Sequence, residues 1–233
     1  MMSPLVGEEL AGLAGMSAAS GTLNCVDIFL STAAREKLRE RRARLHVGSR
    51  PWSGTRARLY IEDFDGTTRI DFLEPGGRVS TGRCGRINAT IACYRDVDVA
   101  IGDGTTINGA RFSVMNSNVT LGRDCMLADE IVFQPNDQHA IFELEGLSQI
   151  NTRSGITLGD HVWIGLRATL LAGARVGQGS IVGAASVVTG DVPDFSLVAG
   201  SPARVLRTGV SWSRSLSGPD VGTKLMQSRW QSA

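Results

Sequence analysis

Across residues 156–207 the branched aliphatic residues fall at a fixed interval of six: Leu158, Ile164, Leu170, Val176, Val182 and Val188. Glycine follows the aliphatic at 159, 165, 177 and 183, and two residues before each aliphatic stands a small or β-branched residue: Ile156, Val162, Ala168, Ala174, Ser180 and Ser186. A period of six fits neither a helix at 3.6 nor a free-running strand at 2. It fits short straight segments joined by sharp corners, with Val162 in, Trp163 out and Ile164 in along one segment. Three segments close a triangular turn, and stacked turns bury a thin aliphatic column that no single turn could bury alone. The pattern predicts a solenoid with Gly, Asn and Asp at its corners, where unusual backbone angles are needed.

Elsewhere the beat weakens or stops. Residues 1–24 are small and polar and read as a loose arm. In residues 25–46, Val26, Phe29, Leu30, Ala33, Ala34, Leu38 and Leu45 form a helical stripe beside Arg35, Lys37, Arg39, Arg41, Arg42 and Arg44. That basic face predicts either a solvated helix surface or a weak contact with an anionic membrane surface or glycan. Residues 56–73 alternate around Asp65-Gly66, a hairpin pattern, and Glu74-Pro75-Gly76-Gly77 reads as a turn. From Val79 the six-residue beat begins faintly, slips near residues 113–119 and resumes at Leu121 and Leu127. Residues 134–155 break it altogether and read as a loop leaving one face, the kind of insertion that often carries function. Asp191-Val192-Pro193 ends the regular beat, with residues 197–206 as a short extension. Residues 208–233, rich in Ser, Arg and Gly, read as a partly disordered tail. The expected organisation is a small N-terminal α/β extension over 1–78 (helix and hairpin), a solenoid over 79–207 with its insertion at 134–155, and a flexible tail over 208–233.

The chain has 233 residues and a net charge of +1, so no global basic field points to nucleic acid. Cys25, Cys84, Cys93 and Cys125 have no CxxC spacing and read as free thiols. The N-terminus has no basic leader and no apolar run reaches 18 residues, so a cytoplasmic location is expected.

The segments HVWIG (161–165), IVGAASVV (181–188), Asp191-Val192-Pro193 and AGSPARVLR (199–207) resemble the closing half of hexapeptide-repeat acyltransferases. The resemblance covers roughly residues 85–207, and it is nearest to the bacterial acetyl-CoA-dependent O-acetyltransferases of sugars, polysaccharides and capsules. It implies a left-handed parallel β-helix and a homotrimer with active sites between adjacent chains. It implies acetyl-CoA as donor, a sugar or polysaccharide acceptor, and no metal. His139, in the context Asp137-Gln138-His139-Ala140-Ile141-Phe142-Glu143, is similar to the family's Asp-x-His element, whose histidine is the general base. Imidazole titrates near neutrality and suits proton removal from a hydroxyl. Gln138 and Ala140 replace the family's usual flanking Gly and Pro. Asp137 would orient the ring, bind the acceptor or simply form a turn. Trp163 points outward and needs a cover, from a ligand or a neighbouring subunit. Gly165 would let a pantetheine arm approach, Gly183, Ala184 and Ala185 match the coil that binds its amides, and Ser201 and Pro202 match the adenine-end loop. Arg204 and Arg207 would suit the phosphates of CoA. His46 carries no motif, and His161 reads as an ordinary surface residue.

Three other functions share this solenoid. A zinc hydrolase needs paired histidine ligands, which three widely spaced histidines do not supply. A catalytically silent scaffold would have no use for His139. An N-acetyltransferase of amino sugars, or a small-molecule acetyltransferase, differs only in the acceptor, which the sequence does not specify.

Overall fold

The structure, a computed structural model, describes residues 12–152 and 154–232 together with Leu5 and Glu9. Short strands follow one another around three faces, and each stacks on the strand one turn earlier. All pairings between the described strands are parallel except the last.

The first turn contributes β1 (Met16–Ala18) on the third face. A one-turn helix, α1 (Thr22–Cys25), leads into β2 (Val26–Leu30) on the first face, then α2 (Thr32–Arg39), then β3 (Ala43–Ser49) on the third. Helix α2 thus occupies the place of a second-face strand. β4 (Ala57–Phe72) and β5 (Arg78–Cys93) each run through all three faces as one bent strand. β6 (Asp98–Ile101) and β7 (Thr106–Val114) form the next turn, and β8 (Asn118–Leu121), β9 (Met126–Leu127) and β10 (Ile131–Phe133) the one after. Beyond the inserted loop, β11 (Ile156–Leu158), β12 (Trp163–Ile164) and β13 (Thr169–Leu170) occupy the three faces in order. β14 (Arg175–Val176), β15 (Ile181–Val182) and β16 (Val187–Val188) repeat them, followed by β17 (Asp191–Val192) and β18 (Ser196–Gly200). β19 (Ala203–Thr208) then folds back antiparallel on β18.

The core is a set of continuous inward columns. On the third face the register places Val47, Ile70, Ile91, Phe112, Phe133, Leu170 and Val188 in one line, all of them buried. Phe112 and Phe133 stack at 4.3 Å within it. Each such side chain contributes about 1.5–3 kcal/mol by leaving water, which is why the stack tolerates two-residue strands. All six aliphatics of the repeat, and the six residues two places before them, are buried as the periodicity requires. The corners are equally tight: a Cβ on Gly102 would lie 2.6 Å from Gly122, and one on Gly122 would lie 2.5 Å from Gly159.

The N-terminal third differs from its expected form. The helical stripe over 25–46 is two strands flanking the eight-residue α2. Val26, Ile28 and Leu30 alternate in burial as a strand does, and only Ala34 and Leu38 form a buried helical face. Ser31 caps that helix by accepting from the Ala34 amide at 3.1 Å. Its basic face is partly neutralised, by Arg35 to Glu9 (2.7 Å) and by Lys37 to Asp63 (2.9 Å) and Asp65 (3.3 Å). The alternation over 56–73 is likewise no hairpin. Asp65-Gly66 is a corner inside β4, whose two arms pair in parallel with β2 and β3 on one side and with β5 on the other. Solenoid packing therefore begins well before Val79. Much of the arm expected over 1–24 lies outside the described residues, although Met16–Ala18 is a strand.

All four cysteines are buried and none forms a disulfide. Burial pushes the thiols of Cys84 and Cys125 up to about 12, so neither is a nucleophile at neutral pH. Among the described residues no helix is long and apolar enough to cross a membrane.

Candidate functional site

The inserted loop leaves the third face after Phe133 and rejoins the first face at Ile156, so it projects from the corner between those faces. Its neck is closed by the Gly155 amide, which donates to the Pro135 carbonyl and the Ser117 hydroxyl, both at 2.9 Å. The tip is a small hairpin, with Glu143 N–H donating to Ser148 O and Ile150 N–H to Ile141 O, each at 2.9 Å. Asn151 ties the loop together: its Oδ1 accepts from Ile141 N–H at 2.7 Å, and its Nδ2 donates to the His139 carbonyl at 2.7 Å and to Asp137 Oδ2 at 2.9 Å. His139 is thus anchored by its backbone while its ring stays exposed, and among the described residues that ring has no hydrogen-bond partner. The carboxylate of Asp137 is engaged by Asn151 rather than by the imidazole. An open hollow of about 420 Å³ surrounds His139, lined by Met115, Asn116, Asp137, Gln149 and Asn151. Ile141, Phe142, Leu144, Leu147 and Ile150 are all exposed on the same loop.

The other expected site residues gather at a different corner. Gly165 lies between β12 on the second face and β13 on the third, and its next-turn counterpart is the Gly183-Ala184 corner. A Cβ on Gly165 would lie 2.7 Å from Ala184 N, and one on Gly183 would lie 2.9 Å from the Ala199 Cβ. Both glycines are therefore required by coil stacking, whatever else approaches them. Ala184 and Ala185 are exposed there, with Ala185 in the left-handed region at φ 56°. Ser201 and Pro202 form the turn between β18 and β19. Arg204 and Arg207 stand exposed on β19, and among the described residues neither guanidinium has an ion-pair partner. Trp163, Ile181 and Leu197 line up on successive turns of the second face. The structure thus brings Trp163, Gly165, Gly183, Ala184, Ala185 and the β18–β19 hairpin onto adjoining surface of one chain. His139 and Asp137 stand at another corner, and the hollow around His139 includes none of these residues.

Two readings are corrected at the C-terminus. The tail is ordered against the second face and ends in helix α3 (Val221–Gln231), capped by Asp220. His161 is no surface residue: it is buried, in a left-handed corner at φ 55°. Its Nδ1 lies 2.8 Å from Asp124 Oδ2, its Nε2 lies 3.0 Å from the Trp212 carbonyl, and its ring stacks on Trp212 at 4.2 Å. Both ring nitrogens thus lie against oxygen atoms. Trp212 returns a bond from Nε1 to the His161 carbonyl at 2.8 Å. Arg214 reaches Asp124 Oδ1 at 3.0 Å, Thr106 Oγ1 at 2.9 Å and the Cys125 carbonyl at 3.0 Å. Burial alone would push the Asp124 carboxyl up, but the bonds from His161 and Arg214 outweigh it and hold Asp124 below the usual carboxylate range. Trp212 also tilts against Trp163 at 6.2 Å. The chain's own tail is therefore a partial cover for Trp163, which remains 37% exposed. Among the described residues no group of three or more His, Cys, Asp or Glu is placed to hold a metal ion.

No family model matches the chain. In sequence it is 34% identical over 132 residues to the polysialic acid O-acetyltransferase of Escherichia coli O1:K1 / APEC, covering 56% of this chain and 43% of that one. It is 28% identical over 113 residues to the putative lipopolysaccharide biosynthesis O-acetyl transferase WbbJ of Escherichia coli K12, covering 45% and 58%. The chain spans about half the length of the curated relatives it matches. In structure it resembles the crystal structure of the polySia specific acetyltransferase NeuO, with a TM-score of 0.78 at 25% identity over 94% of this chain and 91% of the other. The polysialic acid O-acetyltransferase OatWY shares the fold, with a TM-score of 0.67 at 21% identity over 88% and 93%. The left-handed β-helix and the resemblance to bacterial sugar O-acetyltransferases of the hexapeptide-repeat type are borne out.

Proposed function

We propose that this chain, a relative of the hexapeptide-repeat O-acetyltransferases, moves the acetyl group of acetyl-CoA to a hydroxyl of a sugar or polysaccharide. The observation that carries the reading is the exposed His139 imidazole, without a partner among the described residues and held by its backbone on a braced loop. The second support is the corner where Gly165 and Gly183 stack. There the exposed Ala184-Ala185 backbone would take the pantetheine arm, the Ser201-Pro202 turn the adenine end, and Arg204 and Arg207 the phosphates. Trp163 would cover the thioester region. The two corners are complementary only between molecules, and the exposed Ile141, Phe142 and Leu144 need a cover that this chain does not provide. A homotrimer with three shared grooves meets both needs.

His139 takes the proton of the acceptor hydroxyl as its oxygen attacks the thioester carbonyl. The tetrahedral intermediate collapses with cleavage of the carbon–sulfur bond, and the imidazolium returns its proton to the departing CoA thiolate. Asp137 acts through Asn151, fixing the loop rather than the ring. No covalent enzyme intermediate is needed.

Purified protein given acetyl-CoA and a panel of sugars, polysaccharides and amino sugars is expected to release free thiol and to form an acetyl ester. Amide formation would move the reading to N-transfer. Absence of thiol release with every acceptor, in a protein that binds acetyl-CoA, would favour the silent scaffold.

A further inference from the structure

The segment that leads into His139 carries side-chain amides at alternate positions, Gln134, Asn136 and Gln138. Two of them reach the same place, the end of β7. Asn136 Nδ2 donates to the Met115 carbonyl, and Gln138 Nε2 donates to Ser113 Oγ at 3.3 Å. Gln134 Nε2 braces the segment itself by donating to the Asn136 carbonyl at 3.0 Å. With a period of two, Asn136 and Gln138 face β7 and Asp137 faces away. If the chain ran on extended, His139 would follow Asp137 on that far side, and imidazole and carboxylate would be neighbours.

The chain does not run on. Gln138 has φ 61°, in the left-handed region that glycine, asparagine and aspartate enter readily and glutamine does not. Asn116, His161, Arg167 and Ala185 adopt the same region, but at coil corners where each amide is bonded to the turn before. Gln138 lies in the inserted loop, outside that stacking, so no neighbouring turn imposes its angle. Beyond it the Asp137 carboxylate and the His139 carbonyl share one donor, Asn151 Nδ2, at 2.9 and 2.7 Å. The carboxylate is thus drawn to the carbonyl of residue 139. The ring is exposed in a hollow where, among the described lining residues, Asp137 is the only other charged side chain. A costly backbone angle one residue before a reactive side chain is the kind of outlier that points to a functional demand.

We propose that Gln138 is a positioning residue for the transfer reaction. Its left-handed backbone, held by the amide strut to Ser113, turns the His139 imidazole away from the Asp137 carboxylate and out over the hollow. A carboxylate beside an imidazole favours the charged ring, which cannot take a proton. Keeping the two apart favours the neutral ring that acts as base, and the strut fixes where that ring points. The inference rests on the acyl-transfer reading of His139 and assigns the residue that aims the base.

The test follows the His139 ring by NMR titration and acetyl transfer by kinetics, in the full chain, for Gln138→Val, Gln138→Gly and Ser113→Ala. A β-branched residue is a poor occupant of positive φ, so Gln138→Val should return the segment to extended backbone. Its kcat is expected to fall about 10²-fold, the cost of misplacing a reacting group by about 1 Å, with an unchanged KM for acetyl-CoA and an unchanged melting curve. Its His139 resonances should titrate at higher pH than in the unmodified protein, and the acid limb of kcat/KM should move up with them. Adding Asp137→Asn should cancel both shifts. Gln138→Gly keeps the angle without the strut, and Ser113→Ala removes the strut alone. Each loses one exposed hydrogen bond and should retain kcat within about fivefold, with the ring titration in place. Native kcat and native titration in Gln138→Val overturn the proposal, and so does a loss in Gln138→Gly as large as in Gln138→Val. A ring titration that answers to Gln138→Val and Asp137→Asn, in a protein that transfers acetyl to no acceptor, would sink the acyltransferase reading and keep the aiming of the ring by Gln138.

Discussion

The inserted loop at 134–155 and the tail at 208–232 are the two long departures from the solenoid, and they are built in opposite ways. Every residue from 137 to 150 is exposed, including Ile141, Phe142, Leu144 and Leu147. Backbone bonds at Gly155 and within the 141–150 hairpin, together with the side chains of Asn136, Gln138 and Asn151, hold that loop in shape. The tail has much the same share of hydrophobic residues, seven of 25 against six of 22, yet Trp212 and Met226 are buried. Side chains stitch it down: Trp212 on His161, Arg214 on Asp124 and Thr106, and Arg229 on Asp160 at 3.2 Å and Gln178 at 2.7 Å. An apolar segment left bare within one chain asks for a cover from another molecule. A polar segment can be fixed within one chain if its charged groups find partners.

The comparison predicts that the two regions fail differently. His139→Ala should lower turnover by about 10²–10⁴, as for loss of a general base, with an unchanged melting curve, because the ring touches no partner. Near-native turnover would remove His139 from the chemistry. The same variant sharpens the case for a site shared between subunits. Mixed at equal ratio with Trp163→Ala chains, it should restore about one site in four if the residues come from different subunits, provided each variant alone is inactive. Mixtures as dead as their parents would place both residues in one chain's site.

Trp212→Ala should do the reverse. Truncating a buried Trp costs about 3–5 kcal/mol, here drawn from docking of the tail. The amides of α3 are expected to lose most of their protection from hydrogen exchange while the β10 and β13 amides keep theirs. Unchanged protection in α3 would mean that Trp212 is incidental to docking.

Between these extremes stands Arg204 on β19. Its replacement by Ala should weaken acetyl-CoA binding by about 1–3 kcal/mol, the value of a charge-assisted bond, with no effect on the exchange of α3. An unchanged acetyl-CoA affinity would take the guanidinium out of the cofactor site.

The solenoid was legible where its turns are regular. Thr157 stacks on Arg175 eighteen residues later, three equal sides of six, and there the aliphatic beat stands out of the sequence. Val79, Val99 and Val119 also stack, but at intervals of twenty, so a search in sixes drifts out of phase. Earlier still, Ile28 stacks on Leu59 with α2 between them, and no fixed interval survives. A bent strand crossing a glycine corner, such as β4 at Gly66, has the same local pattern as a hairpin. Only the pairing partners distinguish the two, and those are set by neighbouring turns. At the site, the local motif marked His139, but Asn151 acts on Asp137 and His139 across the loop, a contact that no short motif encodes. His161 was misread because its outward slot was assumed to face water. The one available signal was Trp212, an aromatic too costly to leave bare in a polar tail.

The smallest expected effect concerns pH, and it separates the regions most cleanly. Asp124 is held below the usual carboxylate range because the bonds from His161 and Arg214 outweigh its burial. Asp220 is lowered too: burial opposes the shift, and the amides of Thr223 and Arg214 overcome it. A carboxyl with a depressed pKa in the folded state stabilises that state at pH values above its unfolded value, near 3.9. That contribution is lost as pH falls through the folded-state value. Docking of the tail should therefore be constant from neutral pH down to about pH 4 and weaken below it. The inserted loop holds its shape chiefly through backbone amides, with Asn151 donating to the His139 carbonyl and to the single carboxylate of Asp137, and should change less than the tail over that range. Tryptophan fluorescence reads the tail through Trp212, and exchange of the Gly155 and Ile150 amides reads the loop. Asp124→Asn should flatten part of the acid limb of the tail and leave the loop signal alone. If tail and loop loosen together as pH falls, or if the acid limb is unaltered in Asp124→Asn, then the charged stitching is not what distinguishes them.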